Sequence, residues 1–352
     1  MSRVADADCF FGGREELLSP DDSMNACFTA FDKDRDNRLS VVEFGGLCRA
    51  LFRNDAGKPY LLEARKLAEM FSVFDKNEDG YIDREEFKMC WSKWIKTVVR
   101  PVSAFVIVDV QNDFISGSLA VCNCSAQHKG EEVVPVINEA LDTIKFDVVA
   151  YSMDWHPNNH LSFVTNVAKY PMHPSSKVKA ADAKLYDKVV YDGDPVKEQI
   201  LWPPHCIQDS WGAELHPDLK IVDNALWIKK GYDPEIDSYS AFFDNAKISD
   251  TGLSRQLRQR GVTDVFVCGI ATDVCVGATA IHSLEEGFRT IIMDDACRGV
   301  SAEDIETLKQ DIMRNSGVIV ATSQVKSMVQ GRDRRPELGY KLALMLRDAR
   351  PC

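Results

Sequence analysis

The hydrophobic pattern of the chain changes character near residue 100. Before that point apolar residues recur at helical spacing around two acidic loops. Phe28 and Phe31 precede the first loop, and Phe44 and Leu47 follow it; Phe71 and Phe74 precede the second, and Phe87, Trp91 and Trp94 follow it. That spacing predicts amphipathic helices on either side of each loop. Beyond Val102 the pattern becomes short apolar runs separated by helical stretches. Ala104 to Val110 is a nearly continuous apolar run, as expected of a strand buried on both faces of a parallel sheet. Further strands are expected at 147–152, 225–229, 265–270, 290–293 and 318–321, and helices at about 132–143, 273–286 and 302–315. Strands alternating with helices predict an α/β domain: a doubly wound, mostly parallel sheet with helices on both faces, preceded here by an all-α domain. Arg100-Pro101 ends the helical pattern just before the first strand, giving domains at 1–100 and 101–352 joined by a short linker. The stretch 171–199 is long and polar and reads as a lid or a surface insertion. After Gly331 the chain is charged (Arg332, Asp333, Arg334, Arg335) and ends in a helical pattern, Leu342 to Arg347, that either packs or frays.

Composition narrows the function classes. At 352 residues, two domains are the ordinary expectation. Apolar residues at 45% and charged residues at 27% fit a soluble globular protein. A formal net charge of -12 argues against non-specific binding to nucleic acid or to anionic membrane. No apolar run approaches the roughly 18 residues of a membrane-spanning helix. The stretch Met1 to Ser19 is polar, with Asp6, Asp8, Arg14, Glu15 and Glu16, and lacks the pattern of a secretory signal. A cytoplasmic location is expected, and a nuclear one is compatible with the same features. Eleven cysteines, an odd number in a large chain, point to reduced thiols rather than a disulfide framework. Cys122 and Cys124 are too closely spaced for a zinc knuckle without a matching second pair and read as ordinary thiols.

The two acidic loops have a defined spacing. Asp32, Asp34, Asp36, Ser40 and Glu43 fall at positions 1, 3, 5, 9 and 12 of a twelve-residue frame, and Asp75, Asn77, Asp79, Asp83 and Glu86 repeat it. A hard cation needs this spacing because the chain must wrap oxygen ligands around one centre. The carbonyls of Arg38 and Tyr81 fill position 7, and the last Glu binds through both oxygens. Leu39 and Ile82 sit at position 8, where an apolar residue can join paired loops. The arrangement resembles a pair of EF-hands. The second loop carries the expected Gly80 at its sharp turn; in the first, Asn37 replaces it, which tolerates positive φ at some cost and predicts the weaker site. The alternative is a pair of calcium-free remnants serving as a helical adaptor.

The second domain concentrates chemistry at strand ends. In a doubly wound sheet, sites form beyond the C-terminal ends of the strands, where Asp109, Asp154, His156, Lys230 and Cys275 all fall. Cys275 follows a buried strand at or near the first turn of a helix, where free backbone N–H groups lower a thiol pKa and can stabilise an oxyanion. Asp109 could take the thiol proton and later pass it to a leaving amine. Lys230 could hold either partner in its charged form. Lys229 competes for that role, and Lys230 is preferred because it directly precedes Gly231. Asp154-Trp155-His156 and Trp202-Pro203-Pro204-His205 supply a carboxylate and two imidazoles, a set suited to zinc, iron or manganese. His160 reads as a further ligand or an orienting group. Taken singly, each residue has an ordinary reading: a strand-end cap for Asp109, a solvated surface lysine for Lys230, a hydrogen-bonded histidine for each imidazole.

Together, in this order, Asp109-Val110-Gln111-Asn112-Asp113-Phe114, Asp154-Trp155-His156-Pro157, Trp202-Pro203-Pro204-His205-Cys206, Lys230-Gly231 and Gly269-Ile270-Ala271-Thr272-Asp273-Val274-Cys275-Val276 resemble the nicotinamidase branch of the isochorismatase-like cysteine hydrolases, over roughly residues 102–330. A preceding EF-hand pair is similar to that of some invertebrate animal nicotinamidases. The resemblance implies metal-dependent hydrolysis of nicotinamide to nicotinate and ammonia in NAD salvage, through a thioester. It implies Cys275 as nucleophile, Asp109 as general base and acid, and Lys230 as third member of the triad. It implies Asp154, His156 and His205 as metal ligands, with His160 where some members add another. It further implies an oxyanion hole from the N–H groups of Ala271 and Cys275, with a cis peptide between Ile270 and Ala271 costing about 3 kcal/mol. Phe114, Trp202 and Tyr239 match pocket-lining positions, where aromatic walls suit a flat pyridine ring; plain core packing is the competing reading for Phe114 and Tyr239. Expected partners are the small-molecule substrate, one divalent metal (zinc foremost) and calcium; covering of the apolar helix faces around Phe87, Trp91 and Trp94 leaves homo-oligomerisation open. The rival readings are hydrolysis of another small amide and an inactive hydrolase-like calcium sensor.

Overall fold

The computed structural model describes residues 8–11 and 20–348. The polar stretch Met1 to Ser19 therefore lies outside the described residues apart from Asp8–Phe11. The chain forms two compact units. One comprises Met1–Val102, Asn315–Val318 and Gln324–Cys352; the other comprises Ser103–Arg314 and Ile319–Ser323.

In the first unit, helices α1 (Pro20–Phe31), α2 (Val41–Leu51) and α3 (Ala64–Phe74) are followed by α4, which starts at Arg84 and continues through a π-helical segment at Cys90–Ile95 to Val99. Helix starts are set by capping boxes: Ser40 with Glu43, and Asp83 with Glu86, each satisfying two otherwise orphaned donors. The acidic loops pair through Leu39 and Ile82, whose N–H and C=O groups exchange bonds of 2.8 and 2.9 Å. Beneath them Phe44, Phe74 and Trp94 form an aromatic core, with Trp94 5.9 Å from Phe44 and 5.3 Å from Phe74 between ring centroids. The C-terminal helix, Pro336–Asp348, belongs to this unit, with Tyr340, Leu342 and Ala343 in its core. The sequence pattern placed everything after residue 101 in the second domain and read only the end of this helix. The packing that holds it is non-local and leaves no periodic signal in the charged stretch before it.

The second unit is built on a six-stranded sheet in the order β5-β2-β1-β6-β7-β8. Its strands are β1 (Ser103–Val108), β2 (Val148–Asp154), β5 (Leu226–Lys230), β6 (Asp264–Ile270), β7 (Arg289–Arg298) and β8 (Val318–Val320). The pairs β1–β2, β1–β6, β2–β5 and β6–β7 are parallel. β1 and β6 are buried at every position, as their continuous apolar runs require. β7 runs five residues past its expected end at Met293, because a register shift between Val267 and Gly269 lets the polar segment after it keep pairing, Gly269 with Cys297 and Ile270 with Arg298. The polar stretch 171–199 holds most of an antiparallel hairpin, β3 (Lys188–Tyr191) and β4 (Lys197–Ile200), on a small core of Leu161, Val167, Val189, Tyr191 and Leu201. Cysteines 27, 48, 90, 122, 124, 206, 268, 275 and 297 are free thiols. Among the described residues no helix is long and apolar enough to cross a membrane.

The chain leaves β1 to one side, through β2 and β5, and returns to β6 on the other. The topological switch point thus falls between β1 and β6, where a crevice opens at the strand ends. Gly269 is the tightest point beside it: at φ +129, a Cβ would sit 2.0 Å from the Val108 carbonyl oxygen. Gly269→Ala should therefore lower stability by at least about 2 kcal/mol, from combined strain and backbone clash. Denaturant unfolding measures this; an unchanged midpoint would contradict the reading.

Candidate active site and metal centres

Three strand ends deliver the polar residues. Asp109 follows β1, Asp154 ends β2 and Lys230 ends β5. The register that pairs Asp154 with Lys230 brings the last two together. The Lys230 side chain is fully buried. Its Nζ lies 2.8 Å from Asp109 Oδ2 and 2.5 Å from Asp154 Oδ1, and it donates to the Ser238 carbonyl at 3.0 Å. Cys275 Sγ stands 3.5 Å away. The other oxygen of Asp109 accepts from Ser152 Oγ at 2.6 Å. Lys229 points elsewhere, its Nζ 3.4 Å from the centre of the Trp155 ring. Strand alternation separates the two lysines: adjacent residues of a strand face opposite sides, and Lys230 faces the cluster.

Burial and charge set the protonation of this cluster. Burial alone would lower the Lys230 pKa, but Asp109 and Asp154 outweigh it and hold the ammonium well above its usual value. Burial alone would raise Asp154, but Lys230 and His156 hold its carboxyl well below the usual carboxylate range. For Asp109 burial wins over Lys230 and the pKa is raised. Burial also pushes the Cys275 thiol well up, against the pull of Lys230. The sequence expectation of a lowered thiol pKa is corrected here. Cys275 lies inside a π-helical turn, Thr272–Val276, and is buried beside two carboxylates rather than presented at an open helix end. A carboxylate oxygen of Asp109 lies within 4.8 Å of the Cys275 sulfur.

Asp154 Oδ2 faces His156 Nε2 at 3.5 Å and His205 Nε2 at 3.7 Å. Each ring is oriented from behind: His156 Nδ1 donates to the Gly231 carbonyl at 2.7 Å and His205 Nδ1 to the Pro203 carbonyl at 2.8 Å. With the proton on Nδ1, both Nε2 lone pairs and one carboxylate oxygen converge, and their ligand atoms all lie within 4.8 Å of one another. This is the donor set and outer-shell arrangement of a divalent transition-metal site. His160 does not join it. Its Nδ1 bonds Ser162 Oγ at 2.7 Å and its Nε2 faces the Ile236 carbonyl at 3.3 Å, while its ring packs 4.1 Å from that of His156. Burial, reinforced by His156, pushes its pKa down to about 3, so it stays neutral. With His156 and Asp237 it forms a second buried group whose ligand atoms lie within 4.8 Å of one another.

A pocket of about 390 Å³, open mouth included, joins the two clusters; Phe114, Trp202 and Tyr239 line it together with Ala271 and Cys275. The Phe114 ring lies 5.4 Å from that of His205. The expected cis peptide at Ile270–Ala271 is not found. Among the described residues the cis bond is Asp194–Pro195, and Ala271 instead adopts a left-handed φ of 63°. The local backbone turns through that residue, not through the peptide before it. Sequence reasoning did not assign Leu119, Val121, Asp237, Val274 or Val300 to the pocket, and all five line it. Asp237 lines it while bonding Gln199 Nε2 at 2.8 Å. Val300 lines it from a loop whose N–H groups at Val300 and Ser301 are held by Asp273 at 2.7 and 2.8 Å. Asp237 stood within the stretch already singled out for Tyr239, so the signal was present; Val300 carries none.

The acidic loops of the first unit also hold their expected shapes. Asn37 and Gly80 both take left-handed conformations, φ 65° and 86°. Asp32, Asp34 and Asp36 each offer an oxygen within 4.8 Å of the others, and Asp32 Oδ1 is buried without a hydrogen-bond partner. In the second loop the Asp75 oxygens accept from Asp79 N and Gly80 N. Glu43 and Glu86 reach back to the loops through the N–H groups of Lys33 and Lys76. An orphaned buried carboxylate oxygen beside two more carboxylates fits a hard cation such as calcium. Ser40 and Asp83 stand at position 9 of their frames, and Arg38 and Tyr81 at position 7.

Comparison with known proteins agrees with both halves. Residues 103–325 match the isochorismatase domain and residues 21–92 the EF-hand domain pair. A nicotinamidase of Acinetobacter baylyi is 38% identical over 199 residues, spanning 56% of this chain and 81% of the relative. The structure of an Acinetobacter baumanii nicotinamidase pyrazinamidase superposes with a TM-score of 0.54 at 36% identity, covering 64% of this chain and 98% of that one. A protein of L. infantum in complex with nicotinate superposes with a TM-score of 0.51 at 30% identity, covering 63% and 94%. Through residues 103–325 the chain belongs to the isochorismatase domain family, and it carries an EF-hand domain pair ahead of that domain.

Proposed function

We propose that this chain hydrolyses nicotinamide to nicotinate and ammonia through a thioester on Cys275. The observation that carries the reading is the buried ammonium of Lys230, within reach of Asp109, Asp154 and Cys275 beside an aromatic-lined pocket. Its nicotinamidase relatives and the nicotinate complex of one neighbour support the substrate.

The chain's residues divide the work as follows. The Cys275 thiol passes its proton to Asp109 as Sγ attacks the amide carbon. Backbone N–H groups of Ala271 and Cys275 are the donors for the oxyanion. Asp109 then protonates the departing nitrogen, the C–N bond breaks and ammonia leaves. Next Asp109 takes a proton from water as the hydroxyl adds to the thioester carbon; the C–S bond breaks and the proton returns to sulfur. Lys230 keeps its charge throughout and balances whichever of Asp109 and Cys275 is anionic. Phe114, Trp202 and Tyr239 hold the ring flat. Asp154 Oδ2, His156 Nε2 and His205 Nε2 would hold the divalent metal, zinc foremost with iron and manganese accepting the same donors. When bound, that metal supplies an acceptor for the pyridine nitrogen of the substrate.

Ammonia release from nicotinamide by the purified, metal-loaded chain tests the activity. No release from a folded, loaded protein would overturn it in favour of another small amide or an inactive domain. Cys275→Ala should lower kcat at least about 1,000-fold with the melting curve retained; near-normal turnover would refute the nucleophile. Lys230→Met leaves two buried carboxylates without their cation and should destabilise by about 3–5 kcal/mol, whereas Lys229→Met should leave activity unchanged. Equal effects of the two in unfolding and steady-state assays would contradict the assignment. His205→Ala should lower the metal content of the purified protein, read by elemental analysis; full occupancy would remove His205 from the ligand set.

A further inference from the structure

EF-hand pairs that act as sensors change the angle between the helix entering and the helix leaving each loop, exposing an apolar groove that accepts an amphipathic helix. In this unit the groove is filled, and the occupant comes from the same chain. The C-terminal helix, Pro336–Asp348, seats Tyr340, Leu342 and Ala343 in the EF-hand core, with Leu344 and Leu346 packed against its rim. Two polar contacts fix its register. Trp94 Nε1 donates to the Gly339 carbonyl at 2.7 Å, and the Tyr340 hydroxyl bonds Glu69. The fit at Gly339 leaves no room: a Cβ there would lie 2.3 Å from Phe52 Cε1 and 2.4 Å from its Cζ. The approach to the helix is tied down as well. Tyr60 Oη donates to Asp333 at 2.8 Å, and Arg334 Nε donates to the Leu51 carbonyl at 2.5 Å.

The position of these contacts matters more than their number. Glu69 lies on α3, which enters the second calcium loop. Trp94 lies on α4, which leaves it and also carries the last loop ligand, Glu86. Trp94 also stacks on Phe44, on the helix that leaves the first loop and follows the ligand Glu43. The C-terminal helix therefore bridges the two helices whose relative angle the bound ion sets.

We propose that helix 336–348 is the intramolecular target of the EF-hand pair, and that calcium binding and docking of this helix are coupled, each strengthening the other. A ligand shifts an equilibrium only through its different affinities for the two states, and the coupling is reciprocal. An open groove exposes Phe44, Phe52, Trp94 and their neighbours to water unless the helix covers them. The inference is independent of the amide chemistry in the other unit.

Calcium titration by calorimetry tests it on three proteins: the full chain, Gly339→Leu, and a chain ending at Arg335. Both altered proteins should bind calcium about tenfold more weakly than the full chain. A synthetic peptide of residues 336–348 should restore the affinity of the shortened chain. It should quench or shift tryptophan fluorescence in calcium and do neither in a calcium chelator. Calcium affinities equal in all three proteins would overturn the proposal. So would peptide binding that ignores calcium, or a shortened chain whose affinity the peptide fails to restore, since each makes the helix a fixed part of the fold.

Discussion

The second unit is organised around one buried ammonium shared by two carboxylates. Lys230, Asp109 and Asp154 are all buried from solvent. Separately each charge would cost several kcal/mol to bury; together they are tolerable only with good geometry and satisfied hydrogen bonds. That geometry comes from the sheet. β2 and β5 in register set Asp154 beside Lys230, and β1 beside β2 brings Asp109 within reach. The ion cluster then fixes what surrounds it: one Asp154 oxygen is committed to Lys230, which leaves the other to face His156 and His205. The Lys230 cluster and the Asp154–His156–His205 group thus meet at one carboxylate.

The same sheet explains why Cys275 stands where it does. The switch between β1 and β6 opens the crevice, and Gly269 lets β6 pass against β1 closely enough for the next turn to reach it. Ala271 accepts a left-handed backbone there, and the π-helical turn after it sets Cys275 over the ion cluster. In the first unit an equivalent economy holds at a different level. A single aromatic residue, Trp94, joins the core of the EF-hand pair to the helix that returns from the far end of the chain.

Much of this was legible in the sequence, and the limits have physical causes. Apolar runs at 104–110 and 265–270 gave β1 and β6 because strands buried on both faces need no polar alternation. The twelve-residue frames gave the EF-hand loops because the ligand spacing of such a loop is set by a single cation. The motifs around Asp109, Asp154, His205, Lys230 and Cys275 pointed to one candidate site because four of them lie at or shortly after strand ends and His205 follows two prolines. What failed was set by contacts distant in sequence. The thiol pKa depends on burial beside Asp109 and Asp154, which no local pattern reports. The Ile270–Ala271 peptide is not cis, and Ala271 takes a left-handed φ. The seat of the C-terminal helix depends on Phe52 and Trp94, far upstream. The extension of β7 depends on a register shift against a neighbour.

The account rests on covalent chemistry at Cys275, and the most direct measurement is mass spectrometry of the chain quenched during turnover of nicotinamide. The account predicts a nicotinoyl group attached to the peptide that contains Cys275, disappearing as substrate is exhausted. Steady release of ammonia with Cys275 unmodified at every quench time, and still reactive to thiol reagents throughout, would contradict it.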